Sequence, residues 1–129
     1  MMTRTFGAAF LFLALCSQLG CPAPQKLFDK GISYYAEAIL PELEVYVDAD
    51  LKASRITPST AKVILDAGEV LKKKSVAVDE ADKAAAVVCP AYEKYIREDI
   101  LLKERTKEIR LQTSAGLRSL IQTMKDRGR

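Results

Sequence analysis

The side chains best suited to covalent chemistry are three cysteines, Cys16, Cys21 and Cys89. The 129-residue chain contains no histidine. This absence excludes mechanisms that use an imidazole base and metal sites that are built on histidine ligands. The cysteines form no Cys-x-x-Cys pair, and the sequence has no glycine-rich phosphate loop. We therefore expect no metal site and no cofactor.

A second candidate for chemistry is the segment Ser59-Thr60-Ala61-Lys62, which follows Thr57-Pro58 at a predicted helix start. It resembles the S-x-x-K motif of penicillin-binding proteins, in which a lysine lies close to a nucleophilic serine. The other two motifs of that family are missing, and the chain is too short to hold its fold. We therefore do not assign a catalytic role to Ser59 or Lys62.

Four carboxylates, Glu37, Glu42, Glu44 and Asp48, cluster on the first predicted helix. A glycosidase-like pair requires two carboxyl groups that face each other across a cleft in different environments. A slim helical bundle offers no such cleft, so we interpret these residues as a solvated acidic face. We predict that the chain is not an enzyme and that it takes no small-molecule substrate.

The basic clusters of the sequence are Lys72–Lys74 and the tail residues Lys125, Arg127 and Arg129. Three consecutive residues of a helix point in three directions, so the lysines do not form one patch. Nucleic-acid binding usually needs a broad basic stripe with aromatic side chains among the charges. We therefore predict solvated lysines and no nucleic-acid partner.

The first part of the chain differs in composition from the rest. Arg4 is the only charged residue before Lys26, and a mainly apolar run extends from Phe6 to Leu15. A membrane-spanning helix needs about 20 such residues, so this run is too short to cross a bilayer. A short basic region followed by a short apolar run is typical of a cleavable export signal.

The segment Gln18-Leu19-Gly20-Cys21 ends this region. It resembles the lipobox of bacterial lipoproteins, in which a small residue precedes the cysteine that is acylated. The resemblance implies a signal peptide over 1–20, lipidation of Cys21, and a cell-envelope location in which the chain is membrane-anchored and faces the periplasm. Residues 21–26 are then the lipidated cysteine and a tether, which Pro22 and Pro24 favour in an extended conformation.

An unlipidated Cys21 leads to a different prediction. The protein is then a soluble secreted or periplasmic helical binder or inhibitor, closed by a Cys21–Cys89 disulfide. If Cys21 is lipidated, Cys89 is left as a free thiol that is either buried beside a helix break or paired with another molecule.

The rest of the chain, 27–129, is predicted to be one helical domain. Apolar residues recur at helical spacing over Leu27–Ser54, Pro58–Val88 and Ala91–Lys125. Thr57 is the expected cap of the second helix, with Pro58 at its first position. Breaks are predicted at residues 55–57 and at Cys89-Pro90, because the residue before proline avoids helical geometry. A kink is expected near Pro41.

We therefore predict an all-α fold, an elongated up-down-up three-helix bundle. The alternative is four helices, with a split near Val78 and Asp79 as a new cap. In the three-helix arrangement the first and third helices start at the end nearest Cys21, and the C-terminal tail lies at the other end. The first helix carries an excess of carboxylates and the third an excess of cations, so the two should attract each other.

The same arrangement places several large side chains near the predicted anchor. It gathers Cys89 with five aromatic residues, Phe28, Tyr34, Tyr35, Tyr92 and Tyr95. One interpretation is an aromatic rim beside the membrane. The other is ordinary packing in the core.

Together these patterns predict a small bacterial or phage-encoded lipoprotein that acts as a non-catalytic helical scaffold. Its partners are the membrane, through the lipid anchor, and a protein of the cell envelope. The face available for that protein is expected on the third predicted helix, where polar residues interrupt the apolar stripe.

Overall fold

The computed structural model describes residues 24–127, and this part of the chain is all-helical, with no strand. It contains four helices: α1 (Pro24–Lys52), α2 (Pro58–Leu71), α3 (Val78–Glu98) and α4 (Glu104–Arg127). The all-α prediction is confirmed. The three-helix bundle is not confirmed, whereas the four-helix alternative agrees with a helix that starts at Val78.

Helix α1 includes residues that we predicted to be extended. Pro24, Gln25 and Lys26 belong to its first turn, so the predicted tether conformation was wrong for these three residues. The helix continues past Pro41 to Lys52 without division. Pro41 lies on the exposed side, where water can satisfy the carbonyl group that its missing N–H leaves unpaired. Seven apolar side chains of α1 are buried: Phe28, Ile32, Ala36, Ile39, Leu40, Leu43 and Val47.

The start of α2 confirms the predicted cap. Thr57 has extended backbone angles, its side-chain oxygen accepts a hydrogen bond from the Thr60 N–H at 3.1 Å, and Pro58 follows it. The end of α2 differs from the first prediction, because the helix stops at Leu71 instead of continuing to Val88. The next helix is preceded by Ala77, which makes no side-chain cap; Asp79 lies inside its first turn instead of capping it.

The predicted break at Cys89-Pro90 was wrong, because α3 runs through both residues. Pro90 is exposed, whereas Val88, Tyr92 and Ile96 of the same helix are buried. A proline inside a helix costs about 3 kcal/mol, and burial of a large apolar side chain contributes about 1.5–3 kcal/mol. Three such side chains beside Pro90 therefore outweigh the lost hydrogen bond. The chain turns instead at residues 99–103.

The four helices run alternately up and down. Helix α1 contacts each of the others, α3 packs against both α2 and α4, and α2 and α4 lie on opposite sides of the α1–α3 pair without touching. The core is formed mainly by α1 and α3. Helix α4 contributes only three buried residues, Ser114, Leu117 and Ile121. Because the fourth helix reverses the chain again, its C-terminal end lies beside the start of α1.

One glycine permits a close contact between α1 and α4. A Cβ atom at Gly116 would lie 2.6 Å from Tyr35 Oη and 2.8 Å from its Cε1. Any side chain at this position therefore requires the tyrosine ring to move. The half-buried Tyr35 ring can lie across α4 only because residue 116 is glycine.

Candidate binding site

The most exposed large apolar side chains of the described residues lie in the turn between α3 and α4. Ile100 is 92% exposed and Leu101 is 89% exposed. We call this pair the apolar tip. It lies at the end of the bundle where α1 and α3 finish, opposite the start of α1. Charged residues of both signs surround it, namely Arg97, Glu98, Lys103 and Glu104.

The backbone of the apolar tip is held in place by Asp99. Its Oδ2 accepts a hydrogen bond from Tyr46 Oη of α1 at 2.7 Å, and its Oδ1 accepts one from the Leu101 N–H at 2.9 Å. The hydrogen bond from Tyr46 is the main reason that the pKa of Asp99 is lowered, and the bond from Leu101 adds to it. The carboxylate therefore ties the turn to α1 and leaves both aliphatic side chains in solvent.

The predicted third helix, Ala91–Lys125, runs through this turn, so the turn was not predicted. The run Ile100-Leu101-Leu102 follows Asp99 directly. Three consecutive apolar residues cannot all face the same stripe of a helix, and this pattern was the available signal for a turn.

A polar layer lies between α1, α3 and α4. Glu42 Oε2 of α1 is buried and lies 2.9 Å from Nη1 of Arg110 on α4, and the buried Tyr92 of α3 is close to both. This ion pair agrees with the predicted attraction between the acidic first helix and the basic C-terminal segment. Deeper in the bundle, Glu93 Oε2 accepts a hydrogen bond from Ser114 Oγ at 2.7 Å and lies 2.9 Å from Arg118 Nη2. The buried hydroxyl of α4 thus has its partner on α3.

Three tyrosines of this layer are held in the neutral form. Burial raises the pKa of Tyr46 to about 12, helped by the hydrogen bond to Asp99, and burial with the neighbouring Asp50 raises the pKa of Tyr95 to about 12. Burial, with the charge of Glu42, also raises the pKa of Tyr92. The rings of Tyr46 and Tyr95 stack, with centroids 5.2 Å apart and planes 4° from parallel.

These shifts predict a loss of stability at high pH. Unfolded tyrosine ionises near pH 10, so above this pH the unfolded state has lost protons that the folded state retains. These tyrosines then leave the free energy of unfolding unchanged below pH 10 and lower it between pH 10 and 12, by up to about 1.4 kcal/mol per pH unit for each tyrosine. Phenolate absorbance should rise at higher pH in the folded chain than in urea. The substitution Tyr46→Phe should make the loss of stability less steep, and full ionisation near pH 10 in the folded chain would contradict the prediction.

Cys89 is buried, with 0% of its surface exposed, and its Sγ lies 3.9 Å from the Ser114 carbonyl oxygen. It is the only cysteine among residues 24–127, where it is unpaired. Cys16 and Cys21 lie outside the described residues, and so do the predicted signal peptide and Arg129. Lipidation of Cys21 and the alternative disulfide therefore both stay predictions.

The predicted gathering of aromatic residues at one end was wrong. Phe28 lies in the second turn of α1, but Tyr95 stacks on Tyr46 towards the opposite end, and Cys89 lies midway along α3. The prediction depended on a helix start at residue 91, which the continuous α3 removes. Tyr34 contacts Tyr35 edge-on and is 69% exposed.

The other residues that the sequence suggested for catalysis form ion pairs or hydrogen bonds with neighbouring side chains. Lys62 Nζ lies 2.6 Å from Asp66 Oδ2, and Ser59 Oγ lies 3.3 Å from the Thr57 hydroxyl. Asp48 pairs with Lys52, while Glu44 pairs with Lys72 at the end of α2. Glu42 and Glu44 therefore link α1 to other elements, which a purely solvated acidic face does not do.

Residues 24–127 contain neither a cluster of metal-ligating side chains nor a helix suited to a membrane. Between residues 24 and 127, no three Cys, Asp or Glu side chains approach one another as metal ligands. None of the four helices combines the length and the apolar character that crossing a bilayer requires.

Comparisons with other proteins add no assignment. The chain matches no known protein family, no curated protein and no solved structure. The structure itself defines the class of protein. It is an antiparallel four-helix bundle with an ordered, exposed aliphatic pair at one end.

Proposed function

We propose that this chain is a small bacterial or phage-encoded lipoprotein, anchored in a membrane through acylated Cys21 and facing the periplasm. Its bundle acts as a non-catalytic scaffold that binds a protein partner of the cell envelope. Support for the anchor comes from the apolar run Phe6–Leu15 and from Gln18-Leu19-Gly20-Cys21. Two or three acyl chains hold a protein on a bilayer stably, whereas one chain does so only marginally.

The observation that carries the partner-binding role is the apolar tip. Its two aliphatic side chains are exposed, while its backbone is tied to α1 through Asp99. An ordered turn loses less conformational entropy on binding than a flexible turn does, and this smaller loss favours affinity. The surrounding charges have both signs, so they fit a protein with an apolar pocket and a mixed polar rim. The tip also belongs to the segment 91–125, where the sequence predicted the interaction surface.

The position of the tip agrees with anchoring at Cys21. Helix α1 begins at Pro24, shortly after the predicted lipidation site, and extends for 29 residues before the turn at the other end. At the helical rise of about 1.5 Å per residue, its length is about 43 Å. A bundle that is anchored near its start therefore presents Ile100 and Leu101 away from the membrane.

The intact mass of the mature protein tests the anchor. We expect the full chain, expressed in a Gram-negative host, to have the mass of residues 21–129 plus acyl chains and to fractionate with membranes. Cys21→Ser should remove the acyl mass and prevent processing at this site. Cys89→Ser is the matched control and should leave acylation unchanged. An unacylated mass that corresponds to an internal disulfide would contradict the anchor and support the Cys21–Cys89 alternative.

Site-specific photo-crosslinking in cells tests the apolar tip. A photoreactive residue at position 103, beside the tip, should give a discrete crosslinked product with an envelope protein, whereas one at position 63 on α2 should not. The double substitution Ile100→Ser/Leu101→Ser should abolish that product while circular dichroism stays unchanged, because both side chains are exposed. Crosslinking that persists in the double variant would contradict binding through the tip.

A further inference from the structure

We infer that a lysine-rich surface beside the start of α1 docks on the anionic lipid headgroups of the leaflet that holds Cys21. This surface, which we call the basic face, consists of Lys26, Lys30 and Lys72–Lys74. The inference rests on the proposed function, because it takes the acylated cysteine as the point of attachment. It adds a second, electrostatic contact between the bundle and the membrane.

The basic face exists because the connection between α2 and α3 lies against the first turns of α1. Gln25 Nε2 donates a hydrogen bond to the Val76 carbonyl oxygen at 2.9 Å, and the Val76 N–H donates one to Asp29 Oδ1 at 3.3 Å. Val76 is itself buried, with 2% of its surface exposed. The three lysines therefore belong to a pinned connection, and the prediction that one helix spreads them in three directions does not apply.

The lysines of this connection share a surface pocket with α1. Lys72–Lys74 line it together with Asp29, Lys30 and Ser33, and its volume is about 340 Å³. The pocket is bordered by charged and hydroxyl-bearing residues and opens to solvent between the two elements. Lys30 and Lys72–Lys74 border the same pocket, and a cationic border suits the phosphate of a lipid headgroup.

The charge of the basic face is only partly neutralised by the protein. Lys72 pairs with Glu44 and Glu69, and Lys73 pairs with Glu80. Among the described residues, Lys26, Lys30 and Lys74 form no ion pair. The carboxylate that lines the pocket, Asp29, already accepts hydrogen bonds from Gln25 and the Val76 N–H.

The end of α4 adds cations at the same end of the bundle. Lys125 Nζ lies 3.0 Å from Asp82 Oδ2 near the start of α3, and Arg127 follows on the exposed side. The prediction that the tail lies away from the anchor was wrong for these described residues, because a fourth helix returns the chain to the start of α1.

The attachment point restricts how far this face can move from the membrane. The chain from Cys21 to Pro24 spans at most about 10 Å. Electrostatic screening in physiological salt acts over about 8 Å. Acylated Cys21 therefore keeps the first turn of α1 near the range in which anionic lipids attract juxtamembrane lysines. This enforced proximity and the charge complementarity favour lipid over a soluble anion or an acidic protein.

Fluorescence quenching in vesicles tests the inference. The acylated full chain carrying Ser75→Cys, labelled there with a fluorophore, is inserted into vesicles that contain a headgroup-attached spin label. We expect quenching several-fold stronger in vesicles of phosphatidylcholine and phosphatidylglycerol than in phosphatidylcholine alone. It should be lost near 1 M salt, where the screening length falls to about 3 Å. A label at Ala53→Cys, at the other end of the bundle, should show no such difference.

Two sets of substitutions with equal loss of charge complete the test. Lys30→Gln/Lys73→Gln/Lys74→Gln should abolish the effect of anionic lipid, whereas Lys52→Gln/Lys62→Gln/Lys94→Gln should preserve it. Equal quenching in neutral and anionic vesicles would overturn the inference, and so would its removal by inorganic phosphate at constant ionic strength. The intact mass reports acylation independently, so an acylated chain without charge-dependent quenching overturns this contact alone, whereas an unacylated chain overturns the anchor as well.

Discussion

Replacing Ile39 with aspartate is expected to abolish folding of the bundle. Ile39 lies midway along α1, the helix that contacts all three others, and none of its surface is exposed. Aspartate there would place a carboxylate in the core without a partner, in addition to the loss of the apolar side chain. The expected cost is at least about 4 kcal/mol, which approaches the whole stability of a marginally stable domain of about 5 kcal/mol. Helical circular dichroism and thermal melting measure the loss.

The neighbouring residue provides a matched control for Ile39→Asp. Ala38 precedes it on the same helix but is exposed, so Ala38→Asp changes charge by the same amount without burial. We expect this control to alter the free energy of unfolding by about 0.5 kcal/mol or less. Equal melting curves for both variants and the unsubstituted chain would contradict the assignment of the α1 face that packs in the core.

Truncating Leu117 to alanine is expected to loosen α4 before the rest of the bundle. Leu117 is fully buried, and α4 has only two other buried residues, Ser114 and Ile121. A buried Leu→Ala substitution costs about 3 kcal/mol, including the cavity that it leaves. Because α4 does not contact α2 and has few apolar anchors, local opening should be its first response.

Amide hydrogen exchange distinguishes this local opening from general destabilisation. We expect Leu117→Ala to accelerate exchange over residues 104–127 much more than in the buried part of α1. Ile109→Ala, on the same helix but at a side chain that is 55% exposed, is the control and should change exchange little. Uniform acceleration across all four helices would contradict the separate opening of α4.

The sequence alone predicted the structure correctly where the local preference of the chain and the packing of the core favour the same conformation. Helical spacing predicted a buried face of α1, and five of its seven residues are buried, whereas the other two are partly buried: Phe28, Ile32, Ile39, Leu43 and Val47 against Tyr35 and Leu51. Thr57-Pro58 predicted the start of α2 correctly, because a capping hydroxyl and a proline at the first position satisfy local needs.

The sequence alone did not predict the structure where packing in the core opposes the local preference of the chain. Pro90 disfavours a helix locally, yet α3 passes through it because Val88, Tyr92 and Ile96 gain more from burial on one continuous face. The turn at Asp99 depends on Tyr46, which is 53 residues earlier in the chain, and no local pattern contains that partner. The run Ile100-Leu101-Leu102 could therefore signal a turn, but not the contact with α1 that holds it in place.

By itself, the sequence determined that residues 24–127 are helical, where α2 begins, and five of the seven side chains of α1 that form the core. These features depend on interactions within a few residues or on the helical period. Only the tertiary structure decided that there are four helices between residues 24 and 127, and hence at which end of the bundle each cluster lies. One additional reversal of the chain brings Lys125 to the start of α1 and leaves Ile100 and Leu101 at the opposite end. The position of such a reversal depends on the sum of burial and hydrogen bonding between distant helices, and local propensity is too small to decide it.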